Sequence, residues 1–263
     1  MPRIILVLLD GLAAATARQC LSYPQALEEA GEARYAELMC FLPPLSRPAY
    51  VTLLCGLPPA QSGIFHNADS RPCPAPTIFS RAQNAGLVTA AAAYYWMSEL
   101  CNTSPFDPAQ HRLTNTPGMP IEHGLFYSTD AYPDDELFHD AAALCRCFAP
   151  DLLLVHSMGI DHAGHCYGAH SREYRDAARH ADGLLARWLP QWLNCGYSVL
   201  VTSDHGMDAD HSHNDATEAT RRVPLWLLGT AWKNQTTPSQ QTEIADLVLR
   251  GLGLGLAVDG QST

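Results

Sequence analysis

Positive charge is scarce in this chain. Across 263 residues, 16 Lys and Arg stand against 27 Asp and Glu, a formal net charge of -11. No nucleic acid polymer is expected as a partner, because phosphate backbones are bound through basic surfaces. A single phosphate group stays within reach if a metal ion supplies the local positive charge. A run of about 20 apolar residues is also missing, so no membrane association is expected. The nine cysteines form no framework: their number is odd, and Cys145-Arg146-Cys147 is too tight for a zinc knuckle. Free thiols in a reducing compartment fit this usage, and the expected localisation is cytoplasmic. A cleavable leader is not expected either. The apolar stretch Ile4 to Leu9 is short, and it runs into Asp10-Gly11 where a small-residue cleavage site would be needed. Internal repeats, low-complexity tracts and linkers are lacking, so a single domain over residues 1–263 is expected.

What is present builds a core. Hydrophobic residues make up 47% of the chain and charged residues 16%, the balance of a globular fold. Ile4 to Leu9 is a continuous apolar run of the kind found in a strand covered on both faces. Leu87 to Tyr95, Asp151 to His156, Tyr197 to Thr202 and Val223 to Leu228 read as further strands. Helices are expected over Pro24 to Met39, from near Ser46 to Gly56, over Thr77 to Ala85, Glu136 to Phe148, Ser171 to about Leu193, and Thr242 to Leu252. Cys101 to Asp134 is irregular, and a small cap or substrate loop is expected around 96–134. Strands alternating with helices make the class α/β, with a mostly parallel central sheet and helices on both faces.

Strand ends carry the chemistry. Asp10 follows the first strand, Asp161-His162-Ala163-Gly164-His165 the Asp151 strand, and Asp204-His205 the Tyr197 strand, while His213 precedes the Val223 strand. Each has an innocent explanation: a turn at Asp10-Gly11, a helix cap at Asp161 or Asp204, loop histidines. In a parallel sheet, however, such ends lie on one edge, where ligands bind. Asp161, His165 and His213 would form one three-ligand site with a vacancy, and Asp10, Asp204 and His205 a second. Carboxylate with imidazole suits two divalent ions, with Zn2+ favoured and Mn2+ a competitor. Two ions about 4 Å apart would clamp the attacking and leaving oxygens of a displacement at phosphorus. Ser46 lies at or beside a helix N-cap, as a plain cap or as a nucleophile activated by metal.

The combination resembles the alkaline phosphatase superfamily, and within it the nucleotide pyrophosphatase/phosphodiesterase type. The resemblance rests on Leu9-Asp10-Gly11; Ser46-Arg47-Pro48-Ala49-Tyr50 leading to Gly56; Gly63-Ile64-Phe65-His66-Asn67; Asp161 through His165; Ser203-Asp204-His205-Gly206-Met207; and His213-Asn214. It implies an alkaline-phosphatase-like catalytic domain with two metals. Asp10, Ser46, Asp204 and His205 match the ligands of the ion that activates the nucleophile. Asp161, His165 and His213 match the ligands of the other. Asn67 matches an asparagine that donates to a phosphoryl oxygen. His162 and His211 match no ligand and are read as supporting or surface groups. Phosphodiesterase members more often carry threonine then an aromatic where Ser46 and Arg47 stand. Arg47 is a candidate to fork onto a substrate phosphate oxygen or onto a carboxylate. Pro43 stands where the sulfatase branch needs cysteine or serine, which excludes that branch. Tyr94, Tyr95 and Trp96 are candidates to wall a pocket or to pack the core.

The expected activity is hydrolysis of a small-molecule phosphoester, preferably a phosphodiester or pyrophosphate-type bond, through a covalent intermediate on Ser46. A phosphomonoesterase or phosphonate hydrolase of the same superfamily is the alternative. A metal-binding fold without turnover is more remote.

Overall fold

In the computed structural model, which describes residues 2–255, one sheet of eight strands runs through the molecule. The strands are β1 (Arg3–Leu9), β2 (Ala33–Met39), β3 (Thr89–Tyr94), β4 (Leu113–Asn115), β5 (His123–Tyr127), β6 (Leu152–Ser157), β7 (Tyr197–Thr202) and β8 (Arg222–Leu228). Their order is β2-β8-β7-β1-β6-β3-β5-β4. The inner five, β7-β1-β6-β3-β5, pair in parallel. The pairs β2–β8, β7–β8 and β4–β5 are antiparallel.

The apolar run of β1 explains its central position. Ile5, Val7 and Leu9 enter a cluster on one face, with side chains from the helices Asp134–Phe148 and Arg172–Asn194. Ile4, Leu6 and Leu8 enter the opposite cluster, with side chains from Ser46–Cys55, Ile78–Asn84 and Glu243–Gly251. All six are at most 2% exposed, each worth about 1.5–3 kcal/mol relative to exposure. A strand this apolar is stable only between two helix layers.

Two stretches depart from the sequence expectation. The helix expected over Pro24 to Met39 covers only Ser22–Glu29, and Ala33–Met39 is a strand. Gly31, at φ +73°, turns the chain after the helix, and β2 then pairs along the length of β8. Tertiary pairing has overridden helix-forming composition here. The irregular region Cys101 to Asp134 supplies β4 and β5, and β5 extends the parallel sheet beside β3. β4, three residues long, is too short for its alternation to be read from sequence, and β5 carries Gly124 within the strand. Met1 and residues 256–263, the ends of the expected domain, lie outside the described residues. Among the described residues, no helix is long and apolar enough to cross a membrane.

Candidate active site

The order β7-β1-β6 brings three carboxylates together. Asp10 follows the last residue of β1, Asp204 lies two residues past β7, and Asp161 lies in the helix Gly159–Tyr167 that leaves β6. Asp10 is therefore flanked by the other two along the C-terminal edge. Because β8 runs antiparallel to β7, the loop joining them stays on the same edge and carries His205 and His213. Gly11 permits the close approach at the centre. It has φ +69°, and a Cβ there would lie 2.8 Å from the Asp161 backbone and carboxylate. Only glycine meets both conditions without strain.

Ligand atoms of Asp10, Asp204 and His205 lie within 4.8 Å of one another, as do those of Asp161, His205 and His213. His205 thus belongs to both groups. Its Nε2 is 3.1 Å from Asp204 Oδ2, 3.6 Å from Asp10 Oδ1 and 3.2 Å from Ser46 Oγ. His165, expected beside Asp161 and His213, has its Nε2 3.4 Å from Asp161 Oδ2, and its side chain is 46% exposed. Asp10 Oδ1, Asp161 Oδ1 and Asp204 Oδ2 are buried without any hydrogen-bond partner. Buried carboxylate oxygens are normally satisfied, and three orphans on one edge among imidazole nitrogens suit a cation.

The histidines are aimed by backbone carbonyls. His205 Nδ1 bonds Gly206 O at 2.9 Å, His213 Nδ1 bonds Pro44 O at 2.7 Å, and His165 Nδ1 bonds His211 O at 2.9 Å. A ring that donates through Nδ1 offers Nε2 as a ligand atom. His211, at φ +61°, returns its own Nδ1 to His165 O. His162 faces Cys166 rather than the carboxylates.

The sequence model for type I phosphodiesterase / nucleotide pyrophosphatase matches residues 4–222. The chain belongs to that family. Its fold matches murine ectonucleotide pyrophosphatase / phosphodiesterase 5 in complex with AMP, with a TM-score of 0.73 and 13% identity, covering 97% of this chain and 96% of that one. It also matches phosphonoacetate hydrolase from Sinorhizobium meliloti, with a TM-score of 0.55 and 22% identity, over 78% of this chain and 57% of that one. Among curated proteins, the catalytic subunit of human GPI ethanolamine phosphate transferase 3 is 28% identical over 94 residues. That stretch is 36% of this chain and only 8% of the relative's length. GPI ethanolamine phosphate transferase 1 of Saccharomyces cerevisiae is 30% identical over 104 residues, 36% of this chain and 11% of that protein.

Ser46 opens the helix Ser46–Cys55, after the extended Leu45 and at its N-terminus, where backbone N–H groups favour an anion. Asn67 Oδ1 accepts from the Arg47 backbone N–H at 3.0 Å. Its Nδ2 is the end left to donate, beside the serine. Of the two partners the sequence offers Arg47, the structure shows the carboxylate. Its guanidinium pairs with buried Glu99, reaches Asp69 O at 3.3 Å and lies 4.5 Å over the Trp96 ring. Tyr94 packs on Tyr95, Trp96 and Tyr127, so these aromatics join the framework next to the site.

Burial sets the electrostatics of this family member's site. It pushes Asp10 up from 3.8 to about 7, against the hydrogen bond from Tyr50. Burial, then repulsion from Asp10, pushes Asp161 and Asp204 well above the usual carboxylate range. Burial also lowers His213 to about 4 and His205 well below its ordinary value, so both imidazoles are neutral and ready to ligate. A bound cation would reverse the carboxylate shifts. Sequence reading missed Tyr50, whose hydroxyl donates to Asp10 Oδ2, and His156, whose Nε2 lies 3.1 Å from the same oxygen. The one available signal was a histidine at the end of the otherwise apolar β6.

Proposed function

We propose that this protein hydrolyses small-molecule phosphoesters, with a phosphodiester or pyrophosphate-type bond preferred, through a covalent intermediate on Ser46 in a single catalytic domain. The observation that carries the reading is the three orphaned carboxylate oxygens, set among neutral imidazoles with the nearest, His205 Nε2, 3.2 Å from Ser46 Oγ. Asp10, Asp204, His205 and Ser46 would hold one divalent ion and Asp161, His165 and His213 a second, with zinc favoured by the donor set and manganese the competitor. When bound, two such ions would supply positive charge to the phosphoryl oxygens and lower the pKa of the attacking hydroxyl.

The residues then divide the work. Ser46 Oγ attacks phosphorus, the bond to the leaving oxygen breaks, and a water later cleaves the phosphoserine. The N-terminus of the Ser46 helix and Asn67 Nδ2 offer donors to the non-bridging oxygens, where charge gathers. Arg47, held by Glu99, keeps the serine turn against the Asn67 loop. The nine cysteines are free thiols, which favours the cytosol as compartment.

A second outcome follows from the same intermediate. The partial likeness to ethanolamine phosphate transferases favours testing whether an alcohol can replace water as acceptor. The experiment compares rates on bis(p-nitrophenyl) phosphate, p-nitrophenyl phosphate and a phosphonate monoester, with zinc and with manganese, and adds ethanolamine or glycerol in product analysis. The diester should be fastest, and chelation should abolish turnover. A metal-loaded protein inert on all three would overturn the reading, and a faster monoester would move the preference.

A further inference from the structure

We propose that Tyr50 and His156 are positioning residues that hold Asp10 Oδ2, so that Oδ1 alone is presented to a cation. The proposal rests on the metal-dependent reading above and adds the means by which its central ligand is aimed.

The geometry comes from two different elements. Tyr50 lies four residues after Ser46 in the same helix, one turn along. Its hydroxyl donates to Asp10 Oδ2 and lies 3.7 Å from Met158 Sδ. His156, paired with Leu8 across β1 and β6, places Nε2 3.1 Å from the same oxygen. In the ionised form that metal binding requires, the carboxylate only accepts, so Nε2 then carries the proton. The two rings meet edge to face, with centroids 4.9 Å apart at 78°. Asp10, Tyr50 and His156 are all at 0% exposure, so no water competes for Oδ2. Asp10 Oδ1 is left without a partner, 3.6 Å from His205 Nε2.

The neighbouring carboxylate follows the same division by other means. Asp204 Oδ1 accepts from the Gly11 backbone N–H at 3.2 Å and from Ser203 Oγ at 3.4 Å, and Oδ2 is the orphan. Asp10 differs in being held wholly by side chains, which single substitutions can remove. Tyr50 also joins the nucleophile's helix to the ligand at the end of β1. Positions of Ser46 and Asp10 are thereby linked through one hydroxyl. Groups that orient a metal ligand in this way typically change affinity by 10–100-fold when removed.

The test titrates the full chain with Zn2+ against a chromophoric chelator and records the visible spectrum of the Co2+-loaded protein. Tyr50→Phe keeps the ring and deletes the donor. It should weaken one of two binding steps by roughly 10–100-fold, alter the Co2+ spectrum of that step, and leave the other step unchanged. His156→Leu should act on the same step, and His156→Gln, which keeps a donor, should recover much of the loss. The histidine pair decides the matter if Tyr50→Phe does not fold. Unchanged Zn2+ affinity in folded variants, with only a lower Tm, would overturn the proposal while the metal reading stands. Wild-type protein that binds no divalent ion would overturn both.

Discussion

Asp10, Asp204 and His205 are fully buried, whereas the His165 side chain, on the far side of Asp161, stands 46% exposed. The two halves of the site are thus built differently. In the buried half, each carboxylate has one oxygen held by protein donors and one left free, and Ser46 lies against it. In the other half Asp161 and His213 are buried as well, and it opens to solvent at His165. Its imidazoles are aimed by loop carbonyls, Pro44 O for His213 and His211 O for His165, as Gly206 O aims His205. The contrast teaches where precision is needed. Activating a serine requires a fixed, dry environment. A site that must admit and release a leaving group needs an opening, and the solvent-facing side is the one that has it.

The largest expected effect comes from breaking the buried half at its reacting atom. Ser46→Ala should lower kcat by about 1,000-fold or more, as removal of a nucleophile does, while metal content measured by elemental analysis stays unchanged. Near-normal turnover would mean that a hydroxide attacks phosphorus directly. Next comes the group that bridges neither half. Asn67→Ala should lower kcat by roughly 100-fold or more, the scale of a lost oxyanion donor. If Asn67 only closes its turn, Tm would fall and kcat would hold. The comparison itself is sharpened by His165→Gln. A half-exposed ligand can be replaced by water, so metal affinity should fall by about 10-fold, the low end for groups around a metal. Asp10→Asn should cost far more in the same titration. Equal losses would show that exposure does not distinguish the halves.

How much of this was legible in the sequence follows from the range of each signal. The strand ends were legible because β1, β6 and β7 are apolar runs that stop abruptly at polar residues. Asp10, Asp161, Asp204, His205 and His213 could be gathered from topology alone. Their division between two ions could not be checked that way: His205 falls in both convergent groups, a matter of side-chain geometry. The β2 strand was hidden because its strand partner is β8, about 190 residues away, while its composition favours a helix. Tyr50 and His156 were hidden for a similar reason. Each lies inside an element predicted correctly, and a polar group facing inward looks like any other core residue until its partner is known. Glu99, which takes up Arg47, sits in a stretch with no periodic signal at all.

The smallest effect is a dependence on pH, and it traces to the buried carboxylates. Burial raises the Asp10 carboxyl from 3.8 to about 7, so the folded, metal-free protein keeps a proton that the unfolded chain has lost. Stability from this group is present below about 4 and is lost as pH rises through about 7. Asp161 and Asp204 are shifted in the same direction. Metal binding requires these carboxylates to be ionised, so it releases protons and strengthens with pH. His213, at about 4, is already neutral at pH 5.5 and adds nothing over this range. The rise in Tm on adding zinc should therefore be larger at pH 8 than at pH 5.5. Asp10→Asn removes one of the titrating carboxylates and should flatten that difference. Thermal melts of both proteins at both pH values, with and without zinc, measure the difference. A gain that is level with pH in the wild type would mean that the buried carboxylates are already ionised before the metal arrives.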